Sequence, residues 1–219
     1  MINFAVCIFL SAFLLFQIQP IISKTLLPWF GGTQAVWSSA MLFFQIALTG
    51  GYAYANWLVK RKKTQKQTII HLILMGISVC LVIYLWIIWP SPITPAESWK
   101  PGSITSPFLY IFLLLTISVG LPFFVLSTNS PLMQAWFSRK NPGRSPYWLY
   151  ALSNIGSLLG LILYPVVIEP MLTIQRQGWI WAGGYLLFVI IAGYNAIQLI
   201  HAVQAPIPAE NDPIPNDRQ

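Results

Sequence analysis

Six apolar stretches, each close to the length that crosses a bilayer, occupy almost the whole of this chain of 219 residues. They run over about 4–27, 34–58, 68–89, 107–127, 146–168 and 178–201. A membrane helix needs about 20 mostly apolar residues to span the hydrocarbon core. Inside that core every backbone polar group must be paired within its own segment, which selects helices. The expected fold class is therefore an all-α integral membrane protein, a bundle of six transmembrane helices over residues 1–203, with the lipid bilayer as its main partner.

Composition agrees, at 56% hydrophobic and 8% charged residues, where a soluble domain carries about 25% charged residues. Aromatic anchors sit where the stretches end, at Trp29, Trp37, Trp57, Trp89, Trp136, Trp148 and Trp179; such rings favour the membrane interface. The net charge of +7 does not indicate nucleic acid, because the basic residues cluster between spans rather than along a soluble stripe.

Those clusters set an expected orientation. Lys60, Arg61, Lys62, Lys63 and Lys66 separate spans two and three, and Arg139, Lys140 and Arg144 separate spans four and five. Only Lys24, Lys100 and Arg176 lie on the opposite side, eight against three. The positive-inside rule then puts the basic loops, and both termini, in the cytoplasm. Anionic lipid binding is a second use for the Lys60–Lys66 cluster. Residues 2–16 resemble a signal-peptide core, but no basic residue precedes them and no Ala-x-Ala site follows, so the first span is read as uncleaved. Residues 204–219, with four prolines and three acids, cannot bury enough surface to order themselves and are expected to form a disordered cytoplasmic tail.

No glycine-rich nucleotide loop, nucleophile–base pair or metal-ligand spacing appears. Gly31-Gly32, Gly50-Gly51 and Gly183-Gly184 lie in or beside spans, where small residues allow close packing. His71 and His201 are read as structural, Cys7 and Cys80 as buried free thiols. No catalytic site, cofactor or metal is expected.

Polar residues within spans need a partner or water. Gln17 and Gln19 precede Pro20, Gln45 lies near the centre of span two, and Asn154 and Ser157 fall in span five beside Ser153 and the small pair Gly156 and Gly160. Ser127, Thr128 and Asn129 lie between Pro122 and Pro131, a pattern that predicts a kinked or broken helix. This set is expected to face the bundle interior. Either it lines a polar cavity, as broken helices do in transporters, or its hydroxyls and amide satisfy backbone groups that the prolines free. Gly156 and Gly160 are the expected helix-packing surface. Glu169 is the one carboxylate close to a span, and the orientation puts Lys24 at a similar depth, so the two either face water separately or form a structural Lys24–Glu169 ion pair.

The segment Phe16-Gln17-Ile18-Gln19-Pro20-Ile21-Ile22-Ser23-Lys24, with Gly31-Gly32 and Ala35-Val36-Trp37, resembles the opening of the membrane region in bacterial fused major-facilitator/spermidine-synthase-like proteins. Ser130-Pro131-Leu132-Met133-Gln134-Ala135-Trp136-Phe137, Pro146-Tyr147-Trp148-Leu149-Tyr150 and Tyr164-Pro165-Val166-Val167-Ile168-Glu169-Pro170 resemble later parts of the same region. The resemblance implies a bundle like half of a major-facilitator transporter in the bacterial cytoplasmic (inner) membrane, and it favours the Lys24–Glu169 ion pair. It carries no counterpart of that family's synthase motifs. Two functions follow as expectations: a non-catalytic membrane module that recruits or supplies a separately encoded soluble aminopropyltransferase-like partner, or a small-molecule transporter that works as a homodimer of half-transporter units. Polyamine transport is disfavoured, because several positive charges would need intramembrane carboxylates and only the peripheral Glu169 is present.

Overall fold

The longest apolar runs become the longest helices. The computed structural model describes residues 1–102 and 107–204, and every regular element among them is helical. The first run forms α1, Ile2–Phe30, which continues through Pro20 and Pro28 and stops at Gly31, whose φ of 72° ends the helix in the left-handed region. Next come α2, Gln34–Arg61, and α3, Thr64–Ile88. Lys60 and Arg61 close the last turn of α2, where cations complement the helix dipole. Arg139 reinforces that end by donating to the Val59 carbonyl at 3.3 Å and to Gln67 Oε1 at 2.7 Å.

Pro107–Lys140 is one continuous helix of 34 residues. It consists of α4, Pro107–Leu115, a π turn over Thr116–Gly120, and α5, Leu121–Lys140. The helix thus runs on past residue 127, the expected end of the fourth span. The irregularity falls just before Pro122, and Pro131 sits inside unbroken helix. Pro131 removes a single hydrogen bond, and the turn on either side is held by dense packing: Leu132, Met133, Trp136 and Phe137 are all fully buried. The fifth run forms α6, Tyr147–Leu163, a second π turn over Tyr164–Ile168, and the short α7, Glu169–Met171. The last is α8, Ile174–Gln204. The expected tail, apart from Gln204, lies outside the described residues.

Among the described residues five helices are long and apolar enough to cross a membrane: Ile2–Phe30, Thr64–Ile88, Pro107–Lys140, Tyr147–Met171 and Ile174–Ala202. The chain is thus an all-helical protein with multi-pass membrane character. The expected span over 34–58 differs. Its helix, α2, has ample length at 28 residues but is not among the five. Gln34, Ser38, Ser39, Gln45, Thr49 and Asn56 dilute its apolar character.

The bundle is organised around α1, which packs along α6, α8 and α5, while α2 lies on α5 and α4, and α3 on α8 and α5. Small residues set the tightest of these contacts. A Cβ on Gly156 would stand 2.7 Å from the Phe9 carbonyl oxygen, and one on Gly160 would stand 2.9 Å from that of Phe13. Trp136, Tyr185, Phe123, Phe137 and Phe188 fill the core. Cys7 is buried, but Cys80 is exposed on the outer face of α3, contrary to its expected burial. Cys80 shares that face with Ile73, Ile77, Ile83 and Ile87, so a thiol there stands among hydrocarbon contacts rather than in the core.

Candidate functional site

Two cavities lie where α2 and α6 flank α1, and several of the intramembrane polar residues line them. On α2, Trp37, Met41, Leu48 and Tyr52 recur at helical spacing and line cavities against α1. Residues three and four apart share a helix face, so Gln45 continues this stripe between Met41 and Leu48. On α6 the opposing wall carries Ser153, Ser157 and Leu161, with Tyr164 and Pro165 of the second π turn. The floor is α1, which presents Ser11, Leu15 and Phe16 towards one end and Gln19, Pro20 and Ser23 towards the other.

The pocket nearer the N-terminus of α1 has a volume of about 60 Å³. Five serine side chains line it, Ser11, Ser127, Ser130, Ser153 and Ser157, together with Tyr52. That volume has room for a few water molecules, and its polar lining suits them. The pocket towards the outer end of α1 is larger, about 300 Å³, and combines Gln19 and Tyr164 with Trp37 and Met41. The Tyr164 hydroxyl is buried and has no hydrogen-bond partner among the described residues.

Beneath the floor, α1 and α5 are joined by a polar knot. Asn129 Nδ2 donates to Ser11 Oγ at 2.7 Å and to the Cys7 carbonyl at 3.3 Å, while the Cys7 thiol donates to Asn129 Oδ1 at 3.5 Å. Ser11 Oγ in turn donates to the Ile8 carbonyl at 3.0 Å. All three side chains are buried. Ser127 and Thr128 donate to the carbonyls of Phe124 and Val125, both at 2.7 Å, one turn before them. The carbonyls that Pro122 and Pro131 free are those of Ser118 and Ser127, four residues before each proline. The hydroxyls therefore seal their own turn rather than the sites the prolines open.

The eight polar residues expected to share one cavity are thus divided. Ser127 and Ser157 line the serine pocket and Gln19 lines the outer one. Thr128 and Asn129 are buried in α5 and its contact with α1. Gln17 is 2% exposed and donates to the Gly160 carbonyl at 2.7 Å, on the far side of α1. Gln45 and Asn154 are exposed and line neither cavity, which corrects their expected enclosure: each stands on its helix next to cavity-lining residues but on the outward surface.

That exposure marks one side of the bundle. Along α2, Gln34, Ser38, Gln45, Thr49, Tyr52 and Asn56 are all exposed, and along α6 so are Tyr150 and Asn154. The outward surfaces of the middle of α3 and of α8 are apolar, with Ile73, Ile77 and Ile83 on one and Ile180, Leu187 and Ile190 on the other. Hydrocarbon solvates the second kind of surface and leaves amides on the first without partners.

At the outer end, Lys24 Nζ stands 2.7 Å from Glu169 Oε1, with both side chains about two-fifths exposed at 41% and 40%. Lys24 also borders a cavity of about 290 Å³ lined by Glu97, Thr94, Trp29 and Gln175. His71 is fully buried between Tyr54 and Trp136, and neither ring nitrogen has a hydrogen-bond partner among the described residues.

Sequence reasoning missed Ser11 and Tyr52 as cavity residues, and noted Ser130 and Ser153 only as neighbours of the expected set. Tyr52 was within reach, since it lies seven residues after Gln45 and so on the same helix face. Ser11 was not, because a lone serine in an apolar run carries no sign of the asparagine it will meet 118 positions away. Comparison of the chain with protein-family models, with characterised proteins and with solved structures finds no match.

Proposed function

We propose that the chain is a half-transporter: a bundle of six spans in a bacterial cytoplasmic membrane, both termini cytoplasmic, that passes a neutral or weakly polar small molecule through a passage completed by a second copy. The observation that carries this reading is the pair of cavities between α1, α2 and α6, beside which Gln45 and Asn154 stand exposed at mid-helix. Amides at that depth require water or a protein partner. A second copy placing its own cavities opposite supplies both, an aqueous passage between the walls and hydrogen-bonding groups along their rims. Counting α2 as a sixth span follows from the same reading, because its 28 residues reach about 42 Å and its less apolar face runs beside those cavities. The positive-inside bias supports cytoplasmic basic loops.

Cysteine accessibility tests it. In a background lacking Cys7 and Cys80, Gln45→Cys and Asn154→Cys should react with a membrane-impermeant thiol reagent, and Ile77→Cys and Ile190→Cys should not. The purified protein should also run with the mass of a dimer. Equal inertness at all four positions would mean that lipid covers them all, and the reading would fail.

The reading as a non-catalytic module for a soluble aminopropyltransferase-like partner rests on the family resemblance and on the exposed Lys60, Arg61 and Lys63 at the end of the α2–α3 hairpin. Co-purification of such an enzyme, lost on neutralising those three residues, would favour it.

A further inference from the structure

A groove lies on the other side of α1, away from those cavities, and its chemistry is different. Leu10, Phe13, Leu14, Gln17 and Ile21 form its wall on α1, at spacings of three and four residues. Opposite stand Gln177, Ile180, Trp181 and Gly184 of α8, with Ile168 and Leu172 closing the outer end. Leu10 to Ile21 covers about 16 Å along the helix axis, and the groove has a volume of about 170 Å³. Gly184 permits the close approach of α8 that makes the floor, since a Cβ there would meet Leu14 Cδ2 at 3.0 Å. The proportions suit one alkyl chain rather than a compact ring system.

The polar groups in this groove are few, and each nitrogen among them already makes one hydrogen bond within the protein. Gln17 Nε2 donates to the Gly160 carbonyl at 2.7 Å, Gln177 Nε2 to the Leu172 carbonyl at 2.8 Å, and Trp181 Nε1 to the Leu14 carbonyl at 2.9 Å. One buried acceptor is left over. Gln177 Oε1 is buried without a partner among the described residues. Both glutamines, Gln17 and Gln177, are only 2% exposed. An unpaired buried acceptor costs the desolvation of that group, and in hydrocarbon no solvent molecule offers it a proton.

We infer that this groove is a binding site for a neutral chain-like amphiphile whose head is a hydrogen-bond donor, of which a long-chain alcohol is the simplest example. The head lies between Gln17 and Gln177, and the chain runs down the apolar wall past Leu14 and Ile180 into the surrounding lipid. A donor is required because Gln177 Oε1 is the one buried polar atom of the groove that has no hydrogen bond at all among the described residues. A neutral head is required because no charged side chain lines the groove and an unpaired ion at this depth is costly. The site does not depend on the transport reading, which concerns the opposite face of α1.

Photolabelling tests the site directly. Purified protein in lipid nanodiscs is labelled with dodecan-1-ol carrying a diazirine in its chain, and the labelled peptides are mapped. Labelling should saturate and concentrate on α1 residues 10–21 and α8 residues 177–184. Unlabelled dodecan-1-ol should compete about tenfold better than dodecyl methyl ether, which keeps the shape and an acceptor but has no donor, the scale of one hydrogen bond. Gln177→Leu should bring the two competitors to parity. Ile180→Trp, at a rim position that is 60% exposed and so tolerates a larger side chain, should block labelling without loss of thermal stability. Equal competition by alcohol and ether in the unmodified protein would overturn the donor requirement. Labelling spread evenly over the lipid-facing residues of α3 would overturn the site itself.

Discussion

Gly156 lies so close to the backbone of Phe9 that a Cβ there would stand 2.7 Å from the Phe9 carbonyl oxygen. One helical turn on, Gly160 repeats the relation with Phe13 at 2.9 Å. The contacted atoms are backbone and cannot rotate away, so α1 and α6 would have to separate to admit a methyl group. Gly156→Ala and Gly160→Ala should each lower stability by about 1–3 kcal/mol, the scale of overpacking in a filled contact. Gly76 provides the control, since a Cβ there meets nothing within 4 Å. Alanine at that position should raise stability by about 0.5–1 kcal/mol through lost backbone freedom in the unfolded chain. Thermal unfolding in one detergent compares the three variants.

The Asn129–Ser11 bond joins α5 to α1 where lipid cannot substitute for either partner. Hydrogen bonds between membrane helices couple by about 0.6 kcal/mol on average and up to about 1.7. A double-mutant cycle of Asn129→Leu and Ser11→Ala should give a value in the upper part of that range, because Asn129 also donates to the Cys7 carbonyl. A coupling near zero would mean that the knot only fills space.

The Lys24–Glu169 pair has good geometry but stands partly in solvent, with side chains 41% and 40% exposed. Screening limits such pairs to about 0.2–1 kcal/mol. Glu169→Gln and Lys24→Met should therefore each destabilise modestly, and the double variant should recover part of the loss. Raising the salt concentration should shrink the coupling, as it does for exposed charges.

Orientation is tested from outside the cell. Lys100→Cys should react with an impermeant thiol reagent in intact cells, and Lys63→Cys only after the membrane is opened. The reverse pattern would invert the bundle.

The helical elements were legible because the dominant force is simple: apolar length against a hydrocarbon slab. That reasoning located the start of α2 at residue 34 and the start of the fourth long helix at residue 107. It did not foresee how far the helix runs past 127, since composition turns polar there while the helix continues to Lys140. A segment rich in Ser, Thr and Asn looks like a helix end when its neighbours are unknown. In the bundle Asn129 is enclosed by Cys7 and Ser11, and the adjacent hydroxyls bond to their own helix. Which helix face meets the interior was the least legible property. Gln17 and Gln19 are two residues apart and so project on different sides of α1, one to the groove and one to the outer cavity. Gln45 and Asn154 stand exposed beside the cavities over α1, and how much of a helix its neighbours cover leaves no mark on that helix alone.

The two π turns bear on how the chain tolerates changes in length. A π turn holds one residue more than the α-helix around it. Removing one residue from Thr116–Gly120 or from Tyr164–Ile168 should convert the turn to ordinary helix and keep the flanking faces in phase. Removing one anywhere else along the same helices rotates everything beyond it by about 100°, and in α5 that would turn Asn129 towards lipid. Single-residue deletions scanned through 107–140 should therefore leave one short window of inserted, stable protein at 116–120. The spare residue makes that window the place where the helix can be shortened without being re-aimed.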